Sequence, residues 1–363
     1  MRQGSATRPL KIFISNRSRF SSVTPTPFVY PWWGKPPEDP RDPVSGRFDD
    51  YMNVAQRWFV ATDLFNCDVA VLPFDWNETL KTPHTRVDAE RFMAEVQDAN
   101  KKVVVYFLSD FSQRLKIDHA IVYRSSLYKS SQQKSEHALP GWSEDLLQRY
   151  RNGSADIRKW KESPVVGFCG FAPASTWRRT LKRQAAKMFK RGSSDATVRE
   201  EAMRYLSVDP QVKTNFIRRD EFLGGAISAG GKVDYPTLQH SRKEFAENIF
   251  QSDYVLCARG AGNFSYRLYE TLCCGRIPVF VNTDCVLPYE DRIDWKQLCV
   301  WVEVEELSGI GEKVTQFHRK LSPEEFKALQ QKCRKVWLEY LSPRGFFHTL
   351  RTQLPEIITP GGR

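Results

Sequence analysis

The sequence lacks the patterns that identify most metal-binding proteins. No D-x-D pair of aspartates occurs in its 363 residues, and its eight cysteines include no C-x-x-C pair and no histidine partner at zinc-ligand spacing. These absences argue against a zinc motif and against an aspartate pair that holds a divalent ion. Most of the cysteines lie in apolar segments, so we expect free thiols that pack as small hydrophobic side chains.

Long hydrophobic runs are also missing. No apolar run approaches the roughly 20 residues that span a bilayer, and residues 1–15 lead into a predicted strand without the apolar core of a signal peptide. We therefore expect a cytoplasmic location. The hydrophobic share of 41% and the length of 363 residues are typical of a globular protein with two domains.

Positive charge is in excess. The net charge is +11, and residues 178–191 contain seven basic residues and no acidic one. A solvated helix surface is the simplest interpretation of this run. Anion binding by Arg178 and Arg179, peripheral contact with an anionic membrane surface and binding of an acidic glycan stay open. Nucleic acid is the least supported partner, because no nucleic-acid motif accompanies the charge.

Apolar runs alternate with helical patterns, which predicts an α/β fold. Residues 11–15, 69–74 and 102–108 are predicted parallel strands, with helices near residues 51–64 and 89–100. A second half opens with a strand at residues 165–171. Because residues 151–164 are polar, we place the boundary there, which gives two Rossmann-like domains over residues 1–158 and 159–363.

The most informative stretch is residues 252–295. A strand at 254–257, a glycine loop, a helix at 265–274 and a strand at 277–281 follow one another, and Gly275 is predicted to end the helix. Ser265 is placed to cap the helix with its hydroxyl, and the free N–H groups of the first turn attract phosphate. Arg267 and Glu270 share a helix face, so a cation and a carboxylate point the same way. An exposed helix pair beside an ordinary turn is the alternative, since glycine motifs alone are weak.

Residues 252–295 taken together are more specific than any single motif within them. It resembles the C-terminal half of the exostosin glycosyltransferases, family 47. The matching positions are Gly260, Ser265, Arg267, Leu268, Glu270, Leu272, Gly275, Ile277, Pro278, Val279, Leu287, Pro288, Ile293, Asp294 and Trp295. Two positions depart from the family pattern: Ala258-Arg259 replaces a proline-containing approach to the loop, and Thr271 follows Glu270.

The resemblance implies a GT-B fold, in which two Rossmann-like domains face a central cleft, and a metal-independent, inverting transfer. It implies a nucleotide-sugar co-substrate, usually a UDP-sugar, with no further cofactor, and a glycan or lipid-linked glycan acceptor. Because the chain shows no membrane helix, it resembles a soluble bacterial or viral member, or one whose anchor has been removed. The predicted donor-binding residues are Arg259, Gly260, Gly262, Asn263, Ser265, Arg267, Glu270, Asp284, Arg178 and Arg179.

An inverting transfer needs a base that takes a proton from the acceptor. Asp110 and Asp75 both follow predicted strands, and ligands gather at the carboxyl ends of such strands. We favour Asp110, with Asp75 second. For each, a helix cap or loop residue is the alternative, and Glu136, His137 and His84 are weaker candidates.

Two further segments carry expectations. Residues 24–48 are rich in proline and aromatics, so Tyr30, Trp32 and Trp33 form either an acceptor platform or a packed surface loop. Residues 322–325 predict a capping box that starts a long C-terminal helix. The alternative function for the chain is that of a non-catalytic glycan- or polyanion-binding relative with the same fold.

Overall fold

The computed structural model describes residues 8–15, 23–115, 117–172, 195–228 and 230–359. A first sheet of six parallel strands has the order β2-β1-β3-β4-β5-β6. Its strands are β1 (Leu10–Phe13), β2 (Phe59–Ala61), β3 (Val69–Asp75), β4 (Val103–Phe107), β5 (Ala120–Arg124) and β6 (Glu136–Ala138). Strands β3, β4 and β5 are buried along their full length, as continuous apolar runs predict for a sheet covered on both faces.

A second parallel sheet has the order β11-β10-β9-β7-β8. Its strands are β7 (Val165–Phe171), β8 (Lys213–Arg219), β9 (Tyr254–Cys257), β10 (Ile277–Asn282) and β11 (Val300–Glu303). The strand order reverses direction beside β7 and β9, and such reversals open a crevice at the carboxyl edge of a doubly wound sheet.

Helices connect the strands of both sheets. In the first half they are α1 (Tyr30–Trp33), α2 (Asp49–Met52), α3 (Ala55–Trp58), α4 (Trp76–Thr79), α5 (Pro83–Asp98) and α6 (Leu146–Arg151). In the second half they are α7 (Asp195–Val208), α8 (Tyr235–Phe250), α9 (Tyr266–Cys273), α10 (Trp295–Leu298), α11 (Ile310–Arg319), α12 (Pro323–Val336) and α13 (Pro343–Ile358). The predicted α/β, GT-B architecture of two Rossmann-like halves is confirmed.

The local predictions around α9 are confirmed as well. Strand β9, helix α9 and strand β10 match the predicted elements, and Gly275 ends the helix with a φ of +62°. A side chain at Gly275 would also stand 3.2 Å from the Gln330 carbonyl oxygen of α12. The glycine is therefore needed both for its backbone conformation and for close helix packing.

The predicted helix over residues 51–64 is wrong. The segment forms the short helices α2 and α3 and then β2, whose Phe59, Val60 and Ala61 pair with β1. Phe59 is fully buried at the edge of the sheet. Pairing with β1 therefore outweighs the helical pattern, because strand formation depends on tertiary partners.

The C-terminal helix is divided into two. The capping box at Ser322 and Glu325 is present, but α12 ends at Val336, and a π-helical turn over Trp337–Leu341 leads into α13. Helix α13 packs on the first half, where Phe347 stacks on Tyr51 with ring centroids 3.8 Å apart. The last helix of the chain thus contributes to the core of the first half.

All eight cysteines are buried free thiols, as expected from the sequence. Over the residues that the structure describes, every helix is too short or too polar to cross a lipid bilayer. The boundary between residues 158 and 159 stays a prediction; β6 ends before it and β7 begins after it.

Candidate functional site

A cavity of about 820 Å³ lies between the two halves, where the carboxyl ends of β4, β7, β8 and β9 meet. We call it the central cavity. Its volume falls in the range of roughly 300–1,000 Å³ that is typical of small-molecule sites. Six residues predicted from the sequence line it: Asp110, Gly260, Gly262, Ser265, Arg267 and Glu270.

Arg267 is held against the end of β7. Its guanidinium donates a hydrogen bond to the Cys169 carbonyl at 2.8 Å and lies 4.2 Å from the centre of the Phe168 ring. Gly170 permits this approach, because a Cβ atom there would stand 2.8 Å from an Arg267 nitrogen. Burial lowers the pKa of Arg267, so an anion in the cavity would stabilise its charge.

Glu270 pairs with a residue that the sequence analysis did not identify. Its carboxylate lies 2.6 Å from Nη2 of Arg242 of α8, and Nε and Nη2 of the same guanidinium donate to Glu144 at 2.7 and 2.9 Å. Burial opposes the charge of Arg242, but Glu270 and Glu144 outweigh it and raise the pKa of Arg242. Arg267 and Glu270 therefore line one cavity, but each is held by a different partner.

The expected hydroxyl cap of α9 is wrong. Ser265 is the residue before the first turn, but its side chain makes no capping hydrogen bond. Its backbone, with φ −137° and ψ 113°, still brings the start of the helix to the cavity wall beside Tyr266 and Arg267. The Leu268 N–H of the first turn donates to the Ser265 carbonyl at 3.1 Å. The helix dipole favours an anion at this end of α9.

Asn263 lies outside the cavity wall, in contacts between the two halves. Its backbone N–H donates to the Ser126 hydroxyl at 2.9 Å, and its side chain donates to the Leu127 and Asp284 carbonyls at 3.1 and 3.2 Å. The Thr283 hydroxyl donates to the remaining amide oxygen at 2.6 Å. Both amide hydrogens and the amide oxygen thus have partners within the chain, and the donor contact of Asn263 stays a prediction.

Asp284 and Arg259 belong to the same junction. The Asp284 carboxylate accepts hydrogen bonds from the backbone and hydroxyl of Ser130 at 3.1 and 2.5 Å. The Arg259 guanidinium donates to the Tyr128 hydroxyl at 2.8 Å. Ser130 and Tyr128 belong to the first half, so these two predicted donor ligands join the halves.

Asp110 lies where the central cavity meets a second, smaller pocket. This side pocket has a volume of about 270 Å³ and shares Asp110, Phe264 and Tyr266 with the central cavity. Among the described residues Asp110 has no hydrogen-bond or ion-pair partner, and a Cβ atom at Gly262 would stand 2.8 Å from its carboxylate. Asp110 is therefore an unpaired, solvent-accessible carboxylate that faces the glycine loop.

Asp75 has a different environment. It is buried, and one carboxylate oxygen accepts hydrogen bonds from the Leu108 N–H at 2.9 Å and the Asn77 N–H at 3.3 Å. Burial raises the pKa of Asp75. The residue caps α4 and anchors the first residue after β4, which agrees with the helix-cap alternative, and it does not line the central cavity.

The weaker base candidates lie elsewhere. Glu136 forms a buried ion pair with Arg124 at 2.5 Å, and Arg124 also donates to the Phe111 carbonyl at 2.9 Å, which holds the loop that bears Asp110. His137 stacks on Tyr123 at the far end of the same sheet, with ring centroids 5.3 Å apart. His84 is exposed at the start of α5.

The aromatic platform expected over residues 24–48 is a packed loop for the most part. Tyr30 is buried, Trp32 stacks on Phe28, and Trp33 packs against Phe74 with ring centroids 5.8 Å apart. The parts of the segment that reach the side pocket are Pro27, Arg47 and Phe48. Arg178 and Arg179 lie outside the described residues.

Three arginines of the cavity wall were missed: Arg199 of α7, Arg219 at the end of β8, and Arg242. Arg219 had a signal, because it is the last residue of a strand whose carboxyl end lies at the crevice. Arg242 stands in the middle of an amphipathic helix, and no sequence feature marked it as part of the site. Its role becomes visible only when Glu144, 98 positions away in the chain, is brought beside it.

Part of the chain matches a known protein family. Residues 171–316 match the family model of the exostosin GT47 domain. Among solved structures, a glycosyltransferase from Rickettsia africae ESF-5 covers 98% of this chain and 100% of its own, at 10% identity and a TM-score of 0.35. Over this part of its length the chain is similar to the exostosin GT47 glycosyltransferases.

Curated relatives match over the same part of the chain. Exostosin-1 of Drosophila melanogaster is 28% identical over 130 residues, which is 34% of this chain and 17% of the relative. A probable glucuronosyltransferase of Oryza sativa subsp. japonica is 34% identical over 71 residues, 20% of this chain and 16% of the relative. A probable beta-1,4-xylosyltransferase of Arabidopsis thaliana is 35% identical over 81 residues, 22% of this chain and 18% of the relative. The match thus spans less than a fifth of each of these three relatives.

Proposed function

We propose that the chain is an inverting glycosyltransferase that moves a sugar from a UDP-sugar to a hydroxyl of a glycan or lipid-linked glycan. The observation that carries this proposal is the position of Asp110 at the junction of the central cavity and the side pocket. The central cavity and the side pocket can each hold one of the two substrates, and the unpaired carboxylate of Asp110 lies between them, where a base is needed. The match of residues 171–316 to the exostosin GT47 domain supports the same class of reaction.

The central cavity is the proposed donor site. Arg267 and the start of α9 place positive charge on the cavity wall, where a diphosphate would lie. Arg219, which pairs with Glu244 at 2.5 Å, lines the same cavity. Glu270 lies one turn further along α9 and would accept hydrogen bonds from the ribose hydroxyls. Because Glu270 is already oriented by Arg242, its carboxylate is fixed before the nucleotide binds.

The reaction follows from this arrangement. Asp110 takes the proton of the acceptor hydroxyl as its oxygen attacks the anomeric carbon from the side of the side pocket. The bond between that carbon and the diphosphate oxygen breaks, and the electron pair leaves with UDP. Arg267 and the N–H groups of α9 stabilise the charge that develops on the diphosphate.

Metal independence is part of the proposal. It is motivated by the lack of a D-x-D pair in the sequence and by the four arginines that line the central cavity. Transfer should persist in excess EDTA. Loss of activity on chelation, with recovery on addition of manganese, would contradict this part.

Slow hydrolysis of the donor tests the main proposal. The protein should release UDP from at least one UDP-sugar, and the Asp110→Asn variant should release it much more slowly. The alternative is a non-catalytic glycan- or polyanion-binding relative, which is favoured by the net charge of +11. Such a protein would bind glycans but release no UDP from any UDP-sugar in a panel.

A further inference from the structure

One carboxylate of the first half contacts the wall of the central cavity from behind. Glu144 is 4% exposed and does not line the cavity, whereas Arg242 and Glu270 are both part of its wall. The three residues form a group across the boundary of the halves, with Glu144 from the first half, Arg242 from α8 and Glu270 from α9. The proposed reaction gives Glu144 no role.

The guanidinium of Arg242 is shared unequally between the two carboxylates. Its Nε and Nη2 atoms donate to the two oxygens of Glu144 at 2.7 and 2.9 Å. Two parallel N–H···O bonds are a strong and geometrically specific way for arginine to bind a carboxylate. Glu270 has a single contact, in which its Oε1 atom lies 2.6 Å from Nη2. The bidentate edge of Arg242 therefore belongs to Glu144.

This sharing leaves the second oxygen of Glu270 available. In the described part of the chain Arg242 is the only ion-pair partner of Glu270, and it contacts Oε1. Because Glu270 lines the central cavity, its Oε2 atom can accept hydrogen bonds from a ligand there. A carboxylate that was held at both oxygens by one arginine would offer that ligand fewer lone pairs.

The charge of the group favours a ligand that donates hydrogen bonds. Two carboxylates against one guanidinium leave one formal negative charge, and all three side chains are largely buried. Buried charges need polar partners. The two adjacent hydroxyls of a ribose would be such partners for Glu270.

The first half holds Glu144 in a fixed position. Two residues before it, Trp142 packs against Phe347 of α13 with ring centroids 5.5 Å apart. Directly after it, Asp145 caps α6 and pairs with Arg334 of α12 at 2.6 Å. The chain is therefore anchored on both sides of Glu144.

We propose that Glu144 is a positioning residue of the donor site: it binds the bidentate edge of Arg242 and so keeps one oxygen of Glu270 available for the ribose hydroxyls. Glu144 itself contacts no ligand. Without it, Arg242 would turn its bidentate edge to Glu270. The inference rests on the proposed function of the central cavity as a nucleotide site. It makes full binding of the ribose dependent on a residue of the opposite half.

Calorimetric titration of the whole chain with three probes tests this role. UDP has the diphosphate and both ribose hydroxyls, 2′,3′-dideoxy-UDP lacks the hydroxyls, and inorganic diphosphate lacks the nucleoside. In Glu144→Gln, affinity for UDP should fall roughly tenfold, as expected when a hydrogen bond to a charged group is lost. Affinity for the other two probes should stay near that of the wild type, because they do not use the ribose hydroxyls.

A double variant shows whether Glu144 acts through Glu270. In Glu270→Gln the ribose acceptor is already impaired, so the addition of Glu144→Gln should weaken UDP binding no further. Additive losses in the double variant would mean that Glu144 acts by another route and would overturn the proposal.

Asp145→Asn is the matched control. Asp145 also joins the halves through an ion pair, but its partner is Arg334, and it forms no ion pair with Arg242 in the described chain. Asparagine is a good helix cap, so the start of α6 should persist. UDP affinity should be normal in this variant. Equal losses in Asp145→Asn and Glu144→Gln would indicate a general loosening of the interface and would contradict the positioning role.

The remaining outcomes separate this role from a folding defect and from the proposed function. Denaturant unfolding checks that Glu144→Gln is folded, and Glu144→Asp, which keeps the charge, should show a smaller loss that again depends on the hydroxyls. Equal losses for all three probes, or unchanged UDP affinity, would overturn the proposal. Binding that depends on the hydroxyls, without UDP release from any UDP-sugar, would reject the transferase and keep the positioning role. UDP release with normal UDP affinity in Glu144→Gln would reject the positioning role alone.

Discussion

The carboxyl edges of the two sheets differ in how they build the site. In the second half, Gly260, Ser265, Arg267 and Glu270 all reach one cavity, as the sequence predicted. In the first half, two aspartates stand at equivalent strand ends, but Asp110 alone of the two lines that cavity. The second half carries its site on one continuous strand, loop and helix, so local sequence determines its geometry. In the first half, contacts between residues that are far apart in the sequence determine which aspartate lines the cavity.

The two aspartates show what these distant contacts do. Strand β3 runs directly into α4, so Asp75 becomes the cap of that helix and is buried. Strand β4 is followed by a loop, and no helix begins in the described residues 108–115 of that loop. Because Asp75 also binds the Leu108 N–H, and Arg124 binds the Phe111 carbonyl, the loop around Asp110 is fixed at both ends. One aspartate thus positions the loop that carries the other.

Replacing Asp110 is the most direct test of the difference between the two aspartates. We expect Asp110→Asn to lower turnover by about 10² to 10⁴, because a base acts only in the transition state. Affinity for UDP should change little, since Asp110 does not belong to the phosphate-binding wall. Steady-state kinetics and calorimetry with UDP measure the two quantities separately.

Asp75→Asn is the control for this variant. An asparagine oxygen can accept the same two N–H groups and is a good helix cap, so turnover should stay near that of the wild type. Collapse of turnover in Asp75→Asn, with normal turnover in Asp110→Asn, would reverse the assignment. Normal turnover in both variants would move the search for a base to Glu136, His137 and His84.

The next largest effect concerns the ion network that links the halves. Arg242→Met should lower the free energy of unfolding by about 3–5 kcal/mol, because it leaves Glu144 and Glu270 buried without their cation. Denaturant unfolding measures the change. Arg86→Met is the comparison, since Arg86 forms an exposed ion pair with Glu90, and such pairs contribute about 1 kcal/mol at most. Equal effects in the two variants would contradict a structural role for the network.

Glu270→Gln should weaken UDP binding by roughly 10- to 100-fold, because a charged acceptor for the ribose is lost. Arg242 keeps Glu144 as a partner, so the fold should persist. Calorimetric titration with UDP measures the effect. In Glu247→Gln, on the same side of the sheet but paired with Arg151 outside the cavity, affinity should be normal. An unchanged dissociation constant for Glu270→Gln would mean that this helix face does not hold the nucleotide.

The difference between the two halves also explains which features could be predicted from the sequence. The strands, the helix α9 and its terminal Gly275 follow from apolar runs and turn residues, so they were predictable. The roles of Asn263 and Asp284 were not. Both stand in the motif beside donor-binding positions, but their side chains bind Leu127 and Ser130 of the other half, and a linear pattern contains no information on that interface.

The helix over residues 51–64 failed for a related reason. Its residues have a helical pattern, but Phe59 to Ala61 pair with β1, which is 49 residues away at Leu10 and Phe59. The missing cap at Ser265 is a finer case. Serine at that position predicts a hydroxyl cap, whereas in the structure the Ser265 side chain makes no capping hydrogen bond and the start of α9 lines the cavity.

The smallest expected effect is the pH dependence of stability in Asp75→Asn. Burial raises the pKa of Asp75, so the ionised carboxylate is less favourable in the folded chain than in the unfolded one. Because the pKa of Asp75 is higher in the folded chain than in the unfolded chain, the protonated carboxyl contributes stability at pH values below the unfolded pKa of about 3.9. This contribution is lost as the pH rises through the pKa of the folded chain. At pH 7 the asparagine variant, which has no charge to bury, should therefore be at least as stable as the wild type, and this advantage should shrink as the pH is lowered toward 4. Thermal unfolding at pH 4 and pH 7 measures both differences. If Asp75→Asn were less stable at pH 7, the charge of Asp75 would be stabilised by a partner, and Asp75 would resemble a functional carboxylate more than a buried cap.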